Sequence, residues 1–306
     1  MTVGWQPPKL AEVFTEESSQ QLTPLSEDER GEPPVTAPSR IPTPLTISPS
    51  TARWLQWLDV LKAVGLWIMS VLVLGVVPLL VLAPYLIYRV ATFGPSVITP
   101  DALKSDTMML FYSVVGIIPA HLLTLYLAYL VVTEGGRRPF WKTVGWEWPE
   151  GTTPMTAILL SGLIALVLYG LAWGVTTLYG GAKTELDLLI ESSMYTRVAT
   201  AFLAFATAPL VEEVIYRGVI YPAVEKVMGM GLAIAVVSML FAGVHVWQYR
   251  NNIAVILVIT LLSITLTVAR AVSGKLLPSF IIHLIFNGVQ SVLIVLSGFI
   301  DKDLVK

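Results

Sequence analysis

Apolar runs separated by short polar breaks dominate the chain after residue 57. They fall at about 57–88, 108–132, 154–178, 196–224, 231–247, 253–271 and 278–300. Crossing a bilayer as a helix takes roughly 20 mostly apolar residues, so the pattern predicts seven transmembrane helices. The first carries Pro78 and Pro84, which predict a kink or break near its end. If that run is really two helices, the total is eight. A polar, aromatic loop, TEGGRRPFWKTVGWEWPEG, follows the second run, and its tryptophans suit the membrane–water interface. The stretch TELDLLIESSM before the fourth run is amphipathic and predicts a short helix lying flat on the membrane. The fold class is therefore all-α: a multi-pass integral membrane bundle.

Composition sharpens this picture. Of 306 residues, 55% are hydrophobic and 13% charged, against about 45–50% and about 25% in soluble domains. Residues 1–52 are a different material, rich in Pro, Ser, Thr and Glu. Such a segment cannot bury enough apolar surface to offset its ordering entropy, so it reads as a disordered tail ahead of a transmembrane domain over 53–306. The net charge of −2 and the lack of a basic run argue against a nucleic-acid partner. There are no cysteines, which excludes disulfides, thiol nucleophiles and cysteine-ligated metals. Lysines and arginines divide evenly between the two faces of the seven-helix arrangement, so the positive-inside rule assigns no orientation.

Ionisable groups inside membrane helices are costly and mark functional sites. The fourth run holds Glu212, Glu213 and Arg217, in VEEVIYRG. The fifth holds Phe241 and His245, the seventh His283 and Asn287, and the second His121. The third and sixth carry none, with Arg270 counted in the flank of the sixth. Glu213 and Arg217 are four apart, so they share a helix face and can pair. Glu212 points about 100° away and needs a partner from elsewhere. His283 and Asn287 also share a face. His121 fits no pattern and reads as structural. Polar patches on several helices are expected to face one polar cavity within the bundle. A glutamate, two histidines and an asparagine around such a cavity suit hydrolysis. A carboxylate can take a proton from water, histidine can share that task or protonate a leaving group, and a His–Asn pair can donate to an oxyanion.

The ordered set EExxxR (Glu212, Glu213, Arg217), FxxxH (Phe241, His245) and HxxxN (His283, Asn287) resembles the CPBP family. That family comprises CAAX proteases, including type II CAAX prenyl endopeptidases, and bacteriocin-processing enzymes; it is also called the Abi family. The resemblance covers about 108–300, which would be the protease core. It implies an intramembrane endopeptidase acting on a membrane-associated peptide or protein, prenylated in the eukaryotic branch. By position, it implies that Glu212 and His245 activate water and that His283 and Asn287 form the oxyanion site. Glu213 and Arg217 would support them, or Arg217 would hold a substrate carboxylate. The expected mechanism is metal-free. The metal-dependent alternative places a divalent ion such as zinc on Glu212, His245 and His283. The expected location is the cell membrane. Two other function classes fit the same chain: a non-enzymatic immunity or scaffold protein of this fold, and a proton-coupled transporter. The first should have lost a motif residue, and none is lost. The second should show an internal repeat of broken helices, and none is evident.

Overall fold

The computed structural model of the chain describes residues 49–180 and 182–304. The tail read over 1–52 lies outside them, except for residues 49–52, which begin the first helix. All regular structure among the described residues is helical, with no strand among them.

Six segments are long and apolar enough to cross a membrane: Trp54–Phe93, Thr107–Val132, Pro154–Tyr179, Met194–Val246, Ile253–Ser273 and Leu277–Ile300. Helix α1, Pro49–Phe93, carries Pro78 and Pro84 in its interior and runs through both as one element. The first run is therefore one helix and not two. In lipid, neighbouring helices can support a helix where proline removes a hydrogen bond. Here the partner is the second segment, made of α3 (Thr107–Val115) and α4 (Ile117–Val132) joined at Gly116. A Cβ on Gly116 would sit 2.9 Å from the Pro78 Cα, so only glycine permits this approach.

The fourth segment spans 53 residues, about 80 Å as a straight helix against a hydrocarbon core of about 30 Å. It cannot cross once. Within α10 (Tyr221–Tyr249), Gly229 takes φ 78°, ψ 166° and breaks the helix. The Tyr216 and Phe241 rings lie 5.1 Å apart, almost symmetrically placed about Gly229, so the chain reverses there. The six apolar segments thus supply seven rods, as the sequence pattern predicts.

Short helices fill the connections: α2 (Pro100–Ser105), α5 (Phe140–Thr143) and α7 (Glu185–Ser192). Helix α7 is the amphipathic stretch expected to lie flat, opened by a Thr184–Asp187 capping box. The remaining long helices are α6 (Pro154–Tyr179), α11 (Ile253–Ser273) and α12 (Leu277–Leu304).

Large apolar side chains point outward along the rods, among them Leu79, Leu122, Leu166, Leu178 and Val272. That pattern is inverted for a protein in water and suits one in lipid. Inside, small residues such as Ala63, Ala120, Ala128, Ala165 and Ala172 let helices approach closely. At one end of the bundle the Leu276 amide donates to the Gly145 carbonyl at 2.7 Å, and Lys226 pairs with Asp59 at 3.2 Å. At the other end Arg89 pairs with Asp106 at 3.3 Å, and Asn252 donates to the Ala182 carbonyl at 3.3 Å.

Candidate active site

Local winding sets where the fourth segment aims its charges. After α8 (Met194–Phe202) the chain forms a π-helical turn, Leu203–Thr207, then α9 (Ala208–Glu212), then a second π-helical stretch, Glu213–Ile220. Each π stretch ends two residues before a proline, Pro209 or Pro222. A proline ring collides with the carbonyl four residues back. Those carbonyls, of Phe205 and Gly218, fall inside the π stretches, where wider winding makes room. Glu212 and Glu213 therefore stand at the junction between α9 and the second π stretch.

From that junction both glutamates reach His283 of α12. Nδ1 of His283 lies 3.0 Å from Glu213 Oε1, and Nε2 lies 3.6 Å from Glu212 Oε2. A carboxylate only accepts, so Nδ1 carries a proton and donates it to Glu213. The ring then turns Nε2 toward Glu212. Glu213 is fully buried, whereas the Glu212 side chain keeps 24% of its surface exposed.

Arg217 balances the buried Glu213. Its Nη1 donates to the same Oε1 at 3.0 Å. Its Nε donates to Thr267 Oγ1 at 3.2 Å, and its Nη2 to the carbonyl and hydroxyl of Ser263 at 3.1 and 2.8 Å. The guanidinium also lies over the Phe241 ring, 4.6 Å from its centroid. Arg270 Nε donates to the Arg217 carbonyl at 3.0 Å and so ties α11 to the π stretch. With no exposed surface and bonds from all three nitrogens, Arg217 is not placed to hold a substrate carboxylate.

The other two motif residues stand further off. His245 Nδ1 donates to the Phe241 carbonyl at 2.8 Å, one turn back in α10, leaving Nε2 unengaged in that bond. Phe241 stands between the two imidazoles, its ring centroid 4.9 Å from His245 and 6.1 Å from His283. No direct contact joins His245 to Glu212 among the described residues. Asn287, one turn beyond His283, donates from Nδ2 to the Ala204 carbonyl in the first π turn at 3.0 Å. An amide nitrogen has two hydrogens, so one donor remains. Glu212 and His283 thus meet directly, while His245 and Asn287 flank them.

Among the described residues no group of three or more His, Cys, Asp or Glu could hold an ion, the Glu212–His245–His283 set included.

The sequence reading missed the contribution of α11. Ser263, Thr267 and Arg270 are all buried and lie at spacings of one helical face. Three polar groups on one stripe of an apolar helix were the available signal, and counting Arg270 with the flank hid it. It also missed Trp67, whose Nε1 donates to the Tyr216 hydroxyl at 3.1 Å.

Residues 194–289 match the family model described as type II CAAX prenyl endopeptidase Rce1-like. No curated protein and no solved structure matches the chain significantly. The matched segment runs from α8 into α12 and contains Glu212, Glu213, Arg217, Phe241, His245, His283 and Asn287. Over residues 194–289 the chain is thus similar to type II CAAX prenyl endopeptidases, within a multi-pass helical membrane protein.

Proposed function

We propose that the chain is an intramembrane endopeptidase that hydrolyses a peptide bond in a membrane-associated, prenylated protein or peptide of the cell membrane. The observation that carries this reading is His283 held between two carboxylates of unequal circumstance. Glu213 is buried and balanced by Arg217, so it serves as an anchor. Glu212 is the partly exposed acid, free to act on water.

In the proposed reaction Glu212, with His245 Nε2 as the second acceptor, takes a proton from water. The water oxygen attacks the scissile carbonyl. Glu213 fixes the ring through Nδ1–H; in its imidazolium form His283 donates from Nε2 to the oxyanion, and the second N–H of Asn287 adds to it. The intermediate collapses, the C–N bond breaks, and the proton held by the base passes to the leaving amine. Arg217 holds Glu213 in place through its Nη1–Oε1 bond and plays no part in binding substrate. No metal takes part in this scheme.

The test is cleavage of a quenched fluorescent peptide ending in a prenylated CAAX sequence by the purified protein. Glu212→Gln keeps size and hydrogen-bonding reach but cannot accept the proton, so the rate should fall about 10²–10⁴-fold while the protein remains folded. His245→Ala should lose a similar amount, and the double variant little more, because groups acting on one water are non-additive. Asn287→Ala should lose about 10²–10³-fold. Chelator should leave the wild-type rate unchanged. Full activity of Glu212→Gln overturns the assignment, and chelator inhibition reversed by zinc replaces it with a metal mechanism.

A further inference from the structure

Phe241, His245 and Tyr249 follow one another at four-residue intervals along α10, and their rings form a ladder. The first two centroids are 4.9 Å apart, and His245 and Tyr249 stack at 6.4 Å with 16° between their planes. The ladder starts beside His283 and ends at the last residue of the helix, where α7 packs against α10.

Tyr249 is half-buried, yet its hydroxyl makes no hydrogen bond among the described residues. Its oxygen is not among the fully buried polar atoms left without a partner, so it reaches the molecular surface and can donate outward. Tyr216, beside Phe241 at the other end of the ladder, accepts from Trp67 at 3.1 Å. The Tyr249 hydroxyl is pushed up to about 12, first by burial, then by the charge of Glu212, then by that of Asp187 on α7. It is therefore a neutral O–H donor at every physiological pH. It lies within electrostatic reach of the proposed base and lacks an acceptor.

We propose that Tyr249 is a substrate-binding residue whose hydroxyl donates to a main-chain carbonyl of the peptide, on the side of the scissile bond nearer α7. The proposal rests on the endopeptidase reading of the same site. The acceptor is a neutral amide rather than a carboxylate, because Glu212 and Asp187 already place negative charge around the hydroxyl and would repel an anion. The geometry suits a clamp. A rigid ring braced on His245 holds one donor in place and gives the extended peptide a fixed point beside the catalytic pair, at little cost in side-chain entropy.

The experiment compares wild type and Tyr249→Phe, a change that keeps the ring stack and removes only the donor. The probe is the fluorescent prenylated CAAX peptide. Its binding is read by anisotropy in the Glu212→Gln background, and its cleavage in the active protein. Loss of one neutral hydrogen bond should weaken binding about 3- to 10-fold and raise KM to match, with kcat within about twofold. A peptide series with one amide at a time replaced by an ester, a poorer acceptor, should locate the bond. At one position the ester should weaken binding to the Tyr249-containing protein but not to Tyr249→Phe. Equal binding by the two proteins overturns the clamp while leaving the endopeptidase intact if the wild type cleaves. Binding that depends on Tyr249 without any cleavage supports the clamp and sinks the endopeptidase reading. Absence of binding to either protein overturns both.

Discussion

Arg217 shows how much of a buried charge depends on its neighbours. Five donors on a planar fork serve Glu213, Thr267 and Ser263 in different directions. Replacing it with alanine leaves Glu213 buried without its counter-charge, a defect that typically costs about 3–5 kcal/mol. Arg217→Ala should therefore lower the thermal midpoint sharply in detergent. Arg217→Lys, which keeps the charge but cannot reach three partners, should fall between it and wild type. Wild-type midpoints for both would remove Arg217 from the framework of the site. The Glu213–Arg217 pair was legible from spacing alone, because four residues along a helix fix a shared face. Its partners His283, Ser263 and Thr267 were not, because spacing within one helix carries no information about which other helix faces it. The same limit applies to Glu212. Its need for an outside partner could be read, but that the partner is His283 could not.

At the scale of elements, the sequence pattern located the spans and missed their winding. A uniform helix was expected over 196–224, where two π stretches occur. Apolar periodicity averages over a turn and cannot register one extra residue in it. The prolines were the clue, since each π stretch precedes one. This gives Pro209 a role in aiming Glu212. Pro209→Ala restores an N–H and removes the ring that crowds the Phe205 carbonyl, so 203–209 is free to tighten into α-helix. Tightening rotates Glu212 relative to His283. A misplacement of about 1 Å can cost about 10²-fold in rate. The expected result is a kcat loss of about 10- to 100-fold with a thermal midpoint equal to or above wild type. A variant with unchanged kcat would show that the π turn is incidental to catalysis. In α1 the opposite holds. The two prolines that predicted a kink or break do not end the helix, and at Pro78 a neighbouring backbone packs close through Gly116.

At the scale of the whole molecule, the number of crossings decides which loops share a side. Counting the fourth apolar segment once would give six crossings and return residues 250–252 to the side of the Trp-rich loop. Reversal at Gly229 gives seven and sends them to the opposite side. The contacts at the bundle ends agree with seven: Gly145 with Leu276 and Asp59 with Lys226 at one end, Asn252 with Ala182 and Arg89 with Asp106 at the other. The chain lacks cysteine, so single cysteines can report this without background. Trp54→Cys and Glu150→Cys should react with a membrane-impermeant maleimide from one side of sealed vesicles. Asp101→Cys and Asn251→Cys should react from the other. All four positions are exposed on the protein surface at or near the ends of the spans, and none belongs to the proposed site, so activity can be checked in the same preparations. Labelling of Asn251→Cys together with Glu150→Cys would mean that the fourth segment crosses only once. The ladder from Phe241 to Tyr249 could not then stand opposite Glu212, and the arrangement proposed for both catalysis and peptide binding would fall with it.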